Sequence, residues 1–99
     1  MLKDQERIRK LLDDLHLKAT NHVIESIIER KIDPRLISEA IEKPIEREAD
    51  GKLSIFHYRV PSPTKGRTVL RVVARHIGRK RDKSLIISAS WQGWRYRNR

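Results

Sequence analysis

The chain has 99 residues, no cysteine, and a formal net charge of +10 from 23 Lys+Arg against 13 Asp+Glu. That length suits one domain with a modest core. The lack of cysteine excludes a disulfide framework or a thiolate zinc site and fits a reducing compartment. No run approaches the ~18 apolar residues of a membrane span, and MLKDQERIRK lacks the apolar middle of a signal peptide, so a soluble, cytoplasmic protein with no membrane partner is expected.

From Leu2 to Leu17, the residues Ile8, Leu11, Leu12 and Leu15 recur at i, i+3, i+4, i+7, which predicts an amphipathic helix within residues 1–20. HLKATN breaks it. Thr20 and Asn21 offer side-chain oxygens to cap a second helix from about His22 to Lys31, with Val23, Ile24, Ile27 and Ile28 as its apolar stripe. IDPRLISEAIEKP predicts a third helix. Asp33 accepts from the free amides of its first turn and Pro34 suits the first helical position. Leu36, Ile37, Ala40 and Ile41 form the apolar face, and Pro44 stops it.

Beyond Pro44 the apolar period falls from 3.6 to 2. A short strand, an Asp50-Gly51 turn and a longer strand over Lys52–Val60 are expected. PSPTKGR reads as a loop, because its two prolines cannot continue a ladder. Thr68–His76 and Ser84–Trp91 read as further strands joined by the basic turn IGRKRDK, with residues 92–99 as a basic tail. The expected fold is a single α+β domain over residues 1–99. Helices in 1–20 and 21–44 pack on one face of a roughly four-stranded antiparallel sheet in 45–91.

Alternation sorts the strands. Phe56, Tyr58 and Val60, then Leu70, Val72 and Ala74, then Leu85, Ile87, Ala89 and Trp91 face the helices. The opposite, open face collects His57, Arg59, Arg71, Arg75, Ser88 and Ser90, and His76 falls on the helix side or escapes at a strand end.

Charge is unevenly placed. Residues 1–64 hold 12 basic and 12 acidic side chains, whereas residues 65–99 hold 11 basic ones against the single acid Asp82. Arg75, Arg79, Lys80, Arg81 and Lys83 gather about the last hairpin, and Trp94, Arg95 and Arg97 lie in the tail beside Trp91 and Tyr96. Aromatic rings interleaved with arginines point to nucleic acid. The plainer alternative is a solvated basic surface.

The open face suits a phosphodiester. Arginine forks hold phosphate oxygens and stabilise a pentacoordinate transition state, a histidine moves protons near neutral pH, and a serine orients phosphate. Neither a metal nor another cofactor is required. His22 and Glu25 are i, i+3 on a helix, but no HExxH motif or facial carboxylate set accompanies them, and no nucleophile elbow is present. Alternation alone would also place ordinary polar residues on a solvated face.

NHVIESIIERKIDPRLISEAIEKPIEREADGKLSIFHYRV resembles a bacterial domain family of unknown function, DUF forty-two fifty-eight. Its members open a helix with a histidine, follow with ER and an isoleucine, end a helix near IENP, and continue into arginine- and valine-rich strands. The likeness spans roughly His22 to Trp91 and leaves out residues 2–17 and the tail WRYRNR. That family looks like part of a group of metal-independent ribonucleases that includes the RelE-type toxins and the colicin D and colicin E-five nucleases. The resemblance implies a RelE-like fold with catalytic groups from an early helix and from the exposed sheet face. Carried over, His22 is the family histidine, and Arg59 and Arg71 are the strand arginines. His57 and Ser88 join them from the face reading alone.

The implied function is a small toxin-type endoribonuclease. It would cleave RNA by 2′-hydroxyl attack, leaving a 2′,3′-cyclic phosphate and a 5′-hydroxyl. RNA is the implied substrate, and an acidic antitoxin or immunity protein covering residues 65–99 is the implied partner. The rival readings are a non-catalytic RNA- or DNA-binding accessory protein using the same face, and a protein-interaction module.

Overall fold

A computed structural model describes residues 2–64, 66–77 and 83–92. In chain order the elements are α1 Leu2–Asp14, β1 Leu17–Ala19, α2 Asn21–Glu29, α3 Pro34–Glu42, β2 Glu46–Asp50, β3 Leu53–Thr64, β4 Arg67–Ile77 and β5 Lys83–Gln92. The strands form one five-stranded sheet in the order β1-β5-β4-β3-β2. The α+β class and the helices are as expected, but the sheet is mixed: β1 runs parallel to β5 and the other pairs are antiparallel.

β1 is the strand that local pattern does not reveal. α1 ends at Asp14 rather than Leu17, and His16 turns the chain at φ 61°. Leu17, Lys18 and Ala19 then pair with Ser84, Leu85 and Ile86. Three residues carry too little periodicity to distinguish from a fraying helix end, and their partners lie far away in the chain.

α2 is capped by Thr20, whose Oγ1 accepts from the Val23 amide at 3.3 Å. Asn21 does not share that role. It is the first helical residue, and its Oδ1 accepts from Arg9 of α1. α2 ends sooner than expected, in a Schellman turn: Lys31 N donates to Ile28 O at 3.1 Å and Ile32 N to Ile27 O at 3.0 Å. α3 follows the sequence reading, with the Asp33 carboxylate accepting from Arg35 N at 2.9 Å and Pro34 in the first turn.

All three helices lie on one sheet face. α1 packs on β1 and α2, α2 on β5, and α3 across β3 and β4. Leu12, Ile24, Ile27, Ile37, Leu70, Val72 and Ile86 fill the space between the layers. Tyr58 closes the α3 side by donating from its hydroxyl to Glu39 Oε2 at 2.7 Å. That hydrogen bond, then burial and the Glu39 charge, raise the Tyr58 pKa above the ordinary phenol value. The resulting stability is complete below the unfolded phenol value of about 10 and is lost as pH climbs through the higher folded value. Tyr58→Phe is therefore expected to cost about 1 kcal/mol at neutral pH and to weaken the alkaline loss of stability, both measurable by urea unfolding.

Two strand details differ from the sequence reading. PSPTKGR is not a loop throughout: β3 continues through Pro61 and Pro63 to Thr64, which pairs with Arg67 after an irregularity. β2 pairs with β3 only as far as Glu46↔His57, so the prolines lie on a free edge, where a missing amide is tolerated. In β5 a bulge at Ile87 reverses the side-chain parity, because Val73 pairs with Ser88 while Ala74 pairs with Ile86. Ala89 and Trp91 face the helices as expected, but Ile86 replaces Leu85 and Ile87 in the core, and Ile87 is 41% exposed. His76 keeps to the helix side, with Nδ1 3.3 Å from the Oγ of buried Ser84. Among the described residues, no helix is long and apolar enough to cross a membrane.

Candidate nucleic-acid interface

The uncovered sheet face is built by register. Glu46 pairs with His57, His57 with Arg71, and Arg71 with Ser90, which places these four side chains in one row across β2, β3, β4 and β5. The row on one side holds Arg59, Val69 and Gln92, and the row on the other holds Glu48, Ile55, Val73 and Ser88. Beyond the bulge, Arg75 stands opposite Leu85, and Leu85 opposite Lys18. Antiparallel neighbours lie about 4.5–5.5 Å apart, so one phosphodiester can reach adjacent members of a row.

His57 is the most enclosed polar group of this face, 8% exposed. Its Nδ1 lies 3.9 Å from Glu46 Oε1. This is longer than a hydrogen bond but close enough for electrostatic attraction when the ring is protonated. Arg71 is half-buried, Arg59 and Arg75 are exposed, and Ser88 and Ser90 are half-buried.

The face is not uniformly basic. Glu46, Glu48 and Asp50 give its β2 margin a negative edge, and Ile55, Val69, Val73 and Leu85 make its middle apolar. On the helix side of the same edge, Arg47 lies over the Phe56 ring at 5.6 Å.

Of the residues named from sequence, the fold therefore unites His57, Arg59, Arg71, Arg75 and Ser88. His22 is not among them. It is the second residue of α2, exposed, on a helix whose Val23, Ile24 and Ile27 pack against the opposite sheet face. The backbone of Lys83 pairs with Ile77 at the start of β5. Arg79, Lys80, Arg81, Trp94, Arg95 and Arg97 lie outside the described residues.

Glu46 is the member that sequence reasoning missed, although a usable signal existed. Gly51, at φ 62°, provides the left-handed residue of a tight hairpin, and Asp50 pairs with Leu53 across it. Counting outward from that turn sets Glu46 opposite His57. Comparison of the sequence and the fold with protein-family models, curated proteins and solved structures finds no match.

Proposed function

We propose that the protein binds RNA on its open sheet face and cleaves it there without a metal, as a toxin-type endoribonuclease of the cytoplasm. The observation that carries this reading is the row Glu46–His57–Arg71–Ser90, which sets an acid–base group beside a phosphate-binding group. Arg71, assisted by Arg59, holds the scissile phosphate and offsets charge on its equatorial oxygens. His57 takes the 2′-hydroxyl proton as the 2′-oxygen attacks phosphorus, and the Glu46 carboxylate balances the imidazolium so formed. The bond from phosphorus to the 5′-oxygen breaks, and that oxygen takes a proton from the imidazolium or from water. The products are a 2′,3′-cyclic phosphate and a 5′-hydroxyl. Ser90 and Ser88 donate hydrogen bonds to the bound backbone. His22 has no step in this scheme, because its helix lies behind the sheet. An acidic antitoxin or immunity protein is the partner that suits the basic last third of the chain.

The test is direct. Folded protein incubated with total RNA in EDTA is expected to cleave it, and intact RNA of every class would end this reading.

A second reading draws on the enclosure of His57 and the apolar centre of the face. On it, the protein is an accessory RNA- or DNA-binding protein without chemistry. Both readings predict salt-sensitive binding. Three phosphate contacts from Arg59, Arg71 and Arg75 on a single strand give a log–log slope of about −2, or about a 20-fold loss of affinity for a fourfold rise in salt. A flat titration would instead favour a protein-interaction module.

A further inference from the structure

A separate pocket of about 280 Å³ opens where the link between α2 and α3 meets the far end of β3, β4 and β5. Its walls are Leu36, Val60 and the Trp91 ring, its hydroxyls come from Ser62 and Thr64, and its charges from Lys31, Asp33 and Arg67. An apolar floor with a few convergent polar groups is the usual make-up of a small-ligand site, and this volume lies near the lower limit of about 300 Å³ for such sites.

Three details show that this pocket is firmly built. Trp91 Nε1 donates to Arg30 O at 2.8 Å, so the indole is fixed with its only polar atom satisfied, and the half-buried ring forms part of the pocket wall. Arg30 in turn donates from Nη1 to Ala89 O at 2.6 Å, which ties the end of α2 to β5. Lys31 occupies the left-handed region at φ 54°, the position of a Schellman turn that favours glycine. A lysine there accepts a conformational penalty and forms part of the pocket wall.

We propose that this pocket binds one purine nucleotide unit, guanine in preference to adenine. The base stacks on the part of the Trp91 ring that lines the pocket, as bases do on aromatic side chains. The phosphate lies with Lys31 and Arg67. Asp33 Oδ1 accepts from Arg35 N, which leaves Oδ2 to accept from the N1–H and N2–H edge of guanine. The same unit can arrive as a free nucleotide or as one residue of an RNA strand. The proposal concerns binding alone and stands whether or not the open face cleaves RNA.

The test follows the Trp91 indole N–H resonance during titration with guanosine 5′-monophosphate, with adenosine 5′-monophosphate, guanosine, cytidine 5′-monophosphate and inorganic phosphate as controls. The guanine nucleotide is expected to saturate the shift by about 5 mM and the controls to bind more weakly. Lys31→Gly and Arg67→Gln should each weaken binding about tenfold. Lys31→Gly should do so without lowering the urea midpoint, because glycine suits that backbone, which separates lost binding from lost structure. Asp33→Asn keeps the helix cap and should abolish the preference for guanine over adenine. Displacement of a labelled single-stranded RNA by guanosine 5′-monophosphate assigns the pocket to RNA, and its absence assigns it to free nucleotide. No shift at Trp91, or equal affinity in wild type, Lys31→Gly and Arg67→Gln, overturns the proposal. An unchanged base preference in Asp33→Asn overturns the assignment of guanine.

Discussion

Alanine in place of His57 is expected to lower RNA cleavage by about 100-fold to 10,000-fold, with RNA affinity nearly unchanged. In the proposed mechanism the imidazole transfers the proton, whereas the phosphate falls to Arg71, its partner across the β3–β4 ladder. Because the ring is 8% exposed, its removal also leaves space in the sheet face. His57→Gln, which fills more of that space, controls for packing. Loss in both variants with intact unfolding midpoints identifies chemistry rather than structure. A general base further predicts that cleavage by the wild type rises with pH on the acid limb, and that the variants lose this limb. Arg71→Ala should reduce cleavage and binding together, because its proposed contact with phosphate is made in both the ground and the transition state. His22→Ala should leave the rate unchanged.

Leu70→Ala is expected to destabilise the protein by about 2–5 kcal/mol. Leu70 is fully buried in β4, the middle strand of the sheet, between Tyr58 of β3 and Trp91 of β5. The residual cavity adds to the lost transfer energy, since the sheet holds its backbone and the helices above cannot collapse freely. Small domains have only about 5–15 kcal/mol in total, so this single truncation removes a large share. Urea unfolding should show a lower midpoint at constant slope. A neighbouring substitution on the other face, Val69→Ser, separates the layers. Val69 is equally buried but stands outside the helix-facing cluster, so its loss should alter the open face before the core.

Much of this architecture is legible in the sequence where one physical signal dominates. The helix stripes, the Asp33-Pro34 start of α3 and the change of period after Pro44 are local. Each matches an observed element. The alternation in β3 and β4 also places His57, Arg59, Arg71 and Arg75 on the open face, because β3 has no inserted residue between Ser54 and Arg59 and β4 has none between Val69 and Ile77. What escaped depends on contacts distant in sequence or on a single inserted residue. β1 exists only through its pairing with β5, and the Ile87 bulge cannot be told from regular alternation in the run Leu85, Ile86, Ile87. The grouping of His22 with the sheet arginines failed for a topological reason, since helix and open face lie on opposite sides of the sheet. Glu46 was overlooked because an acid beside a basic surface looks like ordinary solvation until the hairpin register pairs it with His57.

Lys31 is a different case. Its side chain looks like any exposed lysine at a helix end, and only the backbone angle shows that glycine would suit the position better. Left-handed residues of this kind carry a penalty of roughly 1 kcal/mol, and penalties of that size cluster at functional sites.

RNA cleavage is assigned to the row of Glu46, His57, Arg71 and Ser90 by proposal, on the strength of its register. Its most direct test is end-group analysis of a defined RNA treated in EDTA with wild type, His57→Ala and Arg71→Ala. Fragments ending in 2′,3′-cyclic phosphate and beginning with 5′-hydroxyl are expected from the wild type and should be lost in both variants. Uncut RNA, or the same fragments at the same rate from His57→Ala, would contradict that assignment.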